Sequence, residues 1–322
     1  MKNLYIASVL LLLLSACSQD HTKVIPQSTG KTNTILLIMD DQDWKTEVGD
    51  SIRKYFAAEY SDLPQSEPIF SLQQAGFDLY NGIYKRVKDI LIVKQGDNPG
   101  IRYYTDKDAK PQQIVVIEGK NKQEVEKLIS KNAPKIVQIF KDFEVDNLQH
   151  RHRKSLLDDA DIQKELGIRI EIPSFFNLVD HQDHFFWFRR DLKNGEQDIL
   201  LYSVPLRDTL DFSGDKVICN RDSIGEKYIP GPSEGTFMKT VETISPSQKM
   251  LSIDHHKAIE SRGLWDMKND FMGGPYVNYT ILDKKHKRMI VGEGFIYAPA
   301  IDKRDYIVQL EAILKTIQLM DE

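Results

Sequence analysis

The run Phe185-Phe186-Trp187-Phe188 constrains the fold of this chain more than any other stretch. Successive side chains of a strand point to opposite faces, so four consecutive aromatic residues put large apolar surface on both sides. Such a strand must be sandwiched rather than left half-wet. Residues 34–39 and 114–117 carry a related signature, β-branched and aliphatic without alternation, which also marks strands covered on both faces.

The segments around these strands set the architecture. Asp41-Gln42-Asp43 offers helix caps, and Trp44, Val48, Ile52, Tyr55 and Phe56 recur at helical spacing. Strands are expected at 69–72 and 89–93. Asn121 with Glu124 resembles a capping box, opening a helix with Val125, Leu128 and Ile129 inward. Pro134 either kinks that helix or starts a second one carrying Ile136, Val137, Ile139, Phe140 and Phe143. Near 150–166 the texture becomes polar and helical, and strands dominate beyond it, at 168–172, 185–189, 199–204, 237–244, 250–253, 276–282 and 289–297. A final helix capped at Asp302 would align Tyr306, Leu310, Ile313, Leu314 and Ile317. Strand–helix–strand alternation is sparse after 166, which argues against a doubly wound parallel sheet. The expected class is α+β, mainly antiparallel sheet with packed helices, with two α/β subdomains sharing one body as its variant.

The amino terminus decides which residues take part in that fold. Lys2 precedes an eleven-residue apolar run from Leu4 to Leu14, followed by Ser15-Ala16-Cys17. As a helix the run would cover roughly 16 Å, too short for a hydrocarbon core of about 30 Å. A charged start, an apolar middle and small residues before a cut describe a signal peptide, and Leu14-Ser15-Ala16-Cys17 closely resembles the bacterial lipobox. That resemblance implies S-diacylglycerol and N-acyl (palmitate-type) chains on Cys17, after cleavage before it. Two or three chains would anchor stably where one would not. The expected layout is a signal at 1–16, a lipidated flexible tether at 17–32, an α/β subdomain at 33–154 and a strand-rich subdomain at 155–322. Ser18 in place of Asp resembles the pattern of outer-membrane lipoproteins and points to the periplasmic face; Asp20 leaves cell-surface exposure as the lesser alternative.

Cleavage would shorten 322 residues to 306 and, with Lys2 lost, move the formal net charge from −5 to −6. No basic block is present, so nucleic acid is not an expected partner. With Cys17 acylated, Cys219 is the only other thiol and no internal disulfide can form. Its setting, Val217-Ile218-Cys219-Asn220, predicts a small buried hydrophobe.

Signals for chemistry are faint. Gly231-Pro232-Ser233-Glu234-Gly235 matches the G-x-S-x-G pattern, with Asp254-His255 downstream, but the prolines and the extended stretch after it predict a turn rather than a nucleophile elbow. His150 and His152, His181 and His184, and His255-His256 with Glu260 lack the framework of a zinc site, so no metal and no cofactor is expected. Arg262, Trp265, Glu293 and Tyr297 form the candidate ligand cleft, in glycine-rich surroundings that allow close backbone approach. No catalytic residue is assigned.

Arg-Gly-Leu-Trp (262–265), Met-Gly-Gly-Pro (272–275), Glu-Gly-Phe-Ile-Tyr-Ala-Pro (293–299), Pro-Gly-Pro (230–232), Gln-Leu-Glu-Ala-Ile-Leu (309–314) and the Trp44–Asp50 stretch resemble a Bacteroidota lipoprotein family, the domain of unknown function 4837. The resemblance covers nearly all of the mature chain and implies a cell-envelope location without assigning an activity. The expectation is a lipid-anchored binding or assembly factor whose partners are membrane lipid, through Cys17, and an envelope protein or small ligand. A hydrolase or metal-binding protein with its cleft at Arg262, Trp265 and Glu293, joined by His255, is the alternative.

Overall fold

The structure, a computed structural model, describes residues 25–320; the signal segment and Cys17 lie outside them. A first sheet contains β1 (Thr34–Ile38), β2 (Ser71–Ala75), β3 (Asp89–Gln95), β4 (Gly100–Thr105) and β5 (Gln113–Gly119), in the order β2-β1-β3-β5-β4. Four of these strands run parallel and β4 is antiparallel at the edge. On one face lie α1 (Asp41–Trp44), α2 (Glu47–Phe56) and α3 (Lys122–His152). Ile35, Leu37, Leu91, Val115 and Ile117 pack there against Ile52, Phe56, Ile129, Ile136 and Phe140, a core legible in the periodicity. The opposite face, built on Leu36, Ile38, Ile90 and Ile114, carries no α-helix among the described residues. Tyr80 and Val87 from the strap between β2 and β3 pack against it.

The second sheet is antiparallel throughout. It holds β7 (Asn177–Gln182), β8 (Phe185–Leu192), β9 (Gly195–Pro205), β10 (Met238–Thr240), β11 (Ser247–Ile253), β12 (His256–Met267), β13 (Gly273–Asp283) and β14 (Arg288–Tyr297), ordered β10-β12-β13-β14-β9-β8-β7 with β11 also on β12. The short helix α4 (Ala160–Leu166) leads into β6 (Ile168–Arg169), which pairs with the terminal β15 (Gln318–Leu319). Helix α5 (Gly214–Tyr228) covers one face of the large sheet, and α6 (Arg304–Leu314) the other. Phe186 and Phe188 enter the core under α6, while Phe185 and Trp187 enter the core under α5. The aromatic strand is sandwiched, and the class is α+β.

Several elements differ from expectation for identifiable reasons. Pro134 starts no second helix: α3 runs unbroken for 31 residues with the proline on its exposed side. Strand β12 carries Glu260, Ser261 and Arg262 in its interior, so its polar sequence hid it. Helix α5 buries only Val217, Arg221 and Gly225, too few apolar positions to show a stripe. Cys219 lies on the exposed side of that helix, which corrects the expectation of a buried thiol. Residues 26–29, within the expected tether, are hydrogen-bonded to the body, with Thr29 N–H donating to Arg86 O at 2.8 Å and Ser28 N–H to Lys110 O at 3.1 Å, while residues 17–24 lie outside the described ones. At α6 the capping residue is Lys303, not Asp302, and Glu67 supplies the acceptors from the other half of the chain. Its carboxylate accepts the Lys303 and Arg304 N–H groups at 2.6 and 3.0 Å.

Candidate functional site

Strand alternation divides the four candidate cleft residues. Residues 260 and 262 of β12 face α6, whereas 265 faces α5 together with 293 and 297 of β14. Arg262 reaches Glu311 on α6, while Trp265 packs edge-on to Phe295 at 5.4 Å and lies 6.4 Å from Tyr297. The sheet therefore stands between Arg262 and the other three. A single cleft joining them is ruled out by the period-2 geometry of a strand the sequence did not reveal.

On the α5 face, Glu293 is enclosed. It pairs with Arg221 at 3.0 Å and accepts Asn278 Nδ2–H at 2.9 Å, while the Arg221 guanidinium lies 3.9 Å over the Tyr276 ring. Burial pushes the Glu293 carboxyl up, against the pull of Arg221. This pair clamps α5 to the sheet and is closed to solvent.

On the α6 face Arg262 borders an open cleft of about 280 Å³. Its walls come from both halves of the chain: Tyr60 after α2, Lys141 and Asp142 on α3, Lys249 on β11, Glu260 and Arg262 on β12, Glu311 on α6 and Lys315 at its C-terminal cap. Arg262 donates to Glu260 at 2.7 Å, to Tyr60 Oη at 2.9 Å and to Glu311 at 2.6 Å, while Tyr279 Oη–H donates to Glu260 at 2.8 Å. Burial alone would raise the Glu311 carboxyl; Arg262 and Lys315 outweigh it and hold Glu311 at about 2. Burial pushes the Tyr60 phenol up to about 12, so it stays protonated.

These bonds consume the charge of Arg262, but Lys141 is different. It makes no ion pair or hydrogen bond among the described residues, its ammonium lies 5.6 Å from the Tyr60 ring centroid, and burial lowers its pKa. Lys249 and Lys315 at the same cleft are paired with Glu260 at 3.0 Å and Glu311 at 2.6 Å, so Lys141 is the lysine there that offers a partly desolvated cation to an anionic group. Sequence reading missed Tyr60 and Lys141 altogether. Glu311 had a signal, a carboxylate beside the apolar stripe of the last helix.

The remaining motifs fall elsewhere. Asp254 and His255 form the tight turn between β11 and β12, both with positive φ, and His255 is exposed and far from any nucleophile–base arrangement. Residues 231–235 form a turn in which Thr236 Oγ1–H donates to Ser233 O at 2.5 Å, as the prolines predict. His181 contacts Glu165 at 2.9 Å, and His152 is buried. Among the described residues no three His, Cys, Asp or Glu side chains cluster as a metal site would require.

A family model described as a domain of unknown function (DUF4837) matches residues 155–316, and a second so described (DUF8532) matches 28–153. No curated protein matches. Among solved structures, the chain is similar to the Saccharomyces cerevisiae Ran-binding protein Mog1p, at 9% identity over 48% of this chain and 90% of that one, with a TM-score of 0.34. It is also similar to LpqN, involved in cell envelope biogenesis of Mycobacterium tuberculosis, at 12% identity over 48% and 83%, with a TM-score of 0.29. A Bacteroides thetaiotaomicron protein matches at 12% identity over 48% and 46%, with a TM-score of 0.26. Likenesses this slight carry no inference about function.

Proposed function

This chain belongs to the family described as a domain of unknown function (DUF4837), whose model spans half of it, and from that premise we propose a lipid-anchored binding protein of the cell envelope. The anchor reading rests on Leu14-Ser15-Ala16-Cys17, with acyl chains on Cys17, and Ser18 favours the periplasmic side of the outer membrane. The binding reading rests on one observation: Lys141, an unpaired and partly desolvated ammonium, lines the open cleft between the two halves. A carboxylate or phosphate, on a small ligand or on an envelope protein, fits that wall. Lys141 would supply the charge, while the Arg262–Glu260–Glu311 set holds the wall in place.

Inorganic phosphate and succinate serve as probes. Following the Lys141 ε-carbon by NMR, either anion should raise the lysine pKa from its lowered value, and Lys141→Gln should abolish saturable binding. If neither anion moves the Lys141 signal, the cleft is not an anion site. For the anchor, Cys17→Ala should remove acyl labelling and detergent-phase partitioning, and unchanged partitioning would refute it.

A further inference from the structure

The face of the first sheet that carries no α-helix among the described residues is covered by the strap of residues 76–88, and the strap's outer side presents a group of apolar side chains. Tyr80 and Val87 pack inward on the sheet, while Phe77 (43% exposed), Leu79 (46%) and Ile83 (69%) are presented to solvent with Tyr84. Single exposed hydrophobic residues are commonplace, but four within eight positions form a patch. Lys85 and Arg86 follow at once, and Asp78 is the strap's only carboxylate.

The chain's own entry path selects what covers this patch. Residues 26–29 join the body between Lys110 and the strap: on the strap side Thr29 N–H donates to Arg86 O at 2.8 Å, Lys88 N–H to Thr29 O at 2.8 Å, and Arg86 Nη2–H to Gln27 O at 3.0 Å. Ile25, where the described chain begins, is itself exposed. From Cys17 to Ile25 there are eight Cα steps, which span at most about 28 Å. A body of this length has a radius of gyration near 19 Å, so such a leash cannot bring its far side to the bilayer. An acylated Cys17 would hold the strap against lipid, with apolar side chains at acyl depth and cations at phosphate level.

We propose that residues 76–88 form a second membrane contact, with Phe77, Leu79, Ile83 and Tyr84 entering the lipid interface and Lys85 and Arg86 meeting headgroup phosphates. The contact rests on the Cys17 anchor reading. It would fix the body's orientation, turning the helix-covered face of the first sheet away from the bilayer.

The test uses acylated protein carrying Cys219→Ser, reconstituted in phosphatidylethanolamine–phosphatidylglycerol vesicles, with a nitroxide at Ile83→Cys or, as control, at Gln123→Cys on the helix face. On reconstitution the Ile83 label should gain oxygen accessibility and lose accessibility to a water-soluble nickel chelate, while the Gln123 label stays aqueous. An Ile83 label that remains aqueous on protein with confirmed Cys17 acylation overturns the strap contact and leaves the anchor standing. Strong spin–spin broadening between Ile83 labels would identify a second copy as the occupant and also overturn it. Absence of acylation refutes the anchor instead, and the strap is then read from Cys17→Ala protein sedimenting with the same vesicles. There Leu79→Asp with Ile83→Asp, two exposed positions, should weaken sedimentation roughly tenfold, and an unchanged fraction would sink the proposal.

Discussion

At the scale of single residues, burial and neighbouring charge decide how side chains behave, and two positions invert what their sequence context suggests. Cys219 sits in an apolar run yet is exposed on α5. It should react with a thiol reagent in the native protein without denaturant, and Cys219→Ser should change stability by less than about 0.5 kcal/mol. Slow native labelling would contradict its placement. His152, in a basic run, is instead buried edge-on to Phe175 at 5.9 Å with Nδ1 unpartnered. Burial, assisted by Arg151 and Arg190, lowers its pKa from 6.5 to about 4. Between those values the unfolded chain binds the proton and the native one does not, so stability contributed by neutral His152 is lost as pH falls from 6.5 toward 4. Asp198 acts in the opposite sense. Burial raises its carboxyl from 3.8 to about 7 against the pull of Arg189, so its contribution is lost as pH rises through that window. Urea midpoints from pH 4 to 7 should therefore shift oppositely: relative to wild type, His152→Phe gains toward acid and Asp198→Asn gains toward neutrality. Parallel profiles for the two variants would refute the assignment.

At the scale of elements, close approach matters more than propensity. Helix α6 lies directly on β14, where Gly294 leaves room for it. A Cβ there would come within 2.8 Å of Leu310 Cβ, and one at Gly292 within 2.6 Å of Ile317 Cδ1. Gly294→Val should thus destabilise the protein by about 1–3 kcal/mol, measured by denaturant unfolding. A neutral result would mean the helix can shift freely. The glycines were visible in the sequence, and their partner was not, because the contact joins positions distant along the chain. The same distance hid the strand β12, whose Glu260 and Arg262 are polar interior positions only once Tyr60, Tyr279 and Glu311 are brought against them.

At the scale of the whole molecule, the two halves share the core under α6, where Tyr60, Val145 and Leu148 pack, and polar groups join them as well. Glu67 caps α6, Asn33 Nδ2–H donates to Asp305 at 2.9 Å, and Arg262 connects β12 with Tyr60 and Glu311. Replacing Arg262 with Met takes their shared counter-charge from two largely buried carboxylates and leaves each one lysine, Lys249 at 3.0 Å from Glu260 and Lys315 at 2.6 Å from Glu311, at a cost below the roughly 3–5 kcal/mol of an uncompensated buried charge. Wild-type Glu311, held at about 2 instead of 4.5, contributes stability that is present above 4.5 and lost as pH falls toward 2. The gap between wild type and Arg262→Met should accordingly narrow below pH 4.5. A gap constant with pH would show that the loss is one of packing rather than of charge. Because Arg262 lies beside Lys141 in the cleft, this variant should also weaken phosphate or succinate binding, whereas Gly294→Val should not.

The sequence by itself determined the strands with unbroken apolar runs, the helices with a clean stripe and the α+β class, because alternation and helical period are local properties of a chain in water. The expectation of an amino-terminal signal likewise comes from composition and length alone. Only the tertiary structure decided which face each polar residue of β12 occupies, and hence that Arg262 and Glu293 lie on opposite sides of one sheet. It alone placed Tyr60, Lys141 and Glu311 around one cleft and left the strap beside residues 27–29. Those relations arise from contacts between residues far apart along the chain, and strand register, on which they depend, is fixed when whole elements pack.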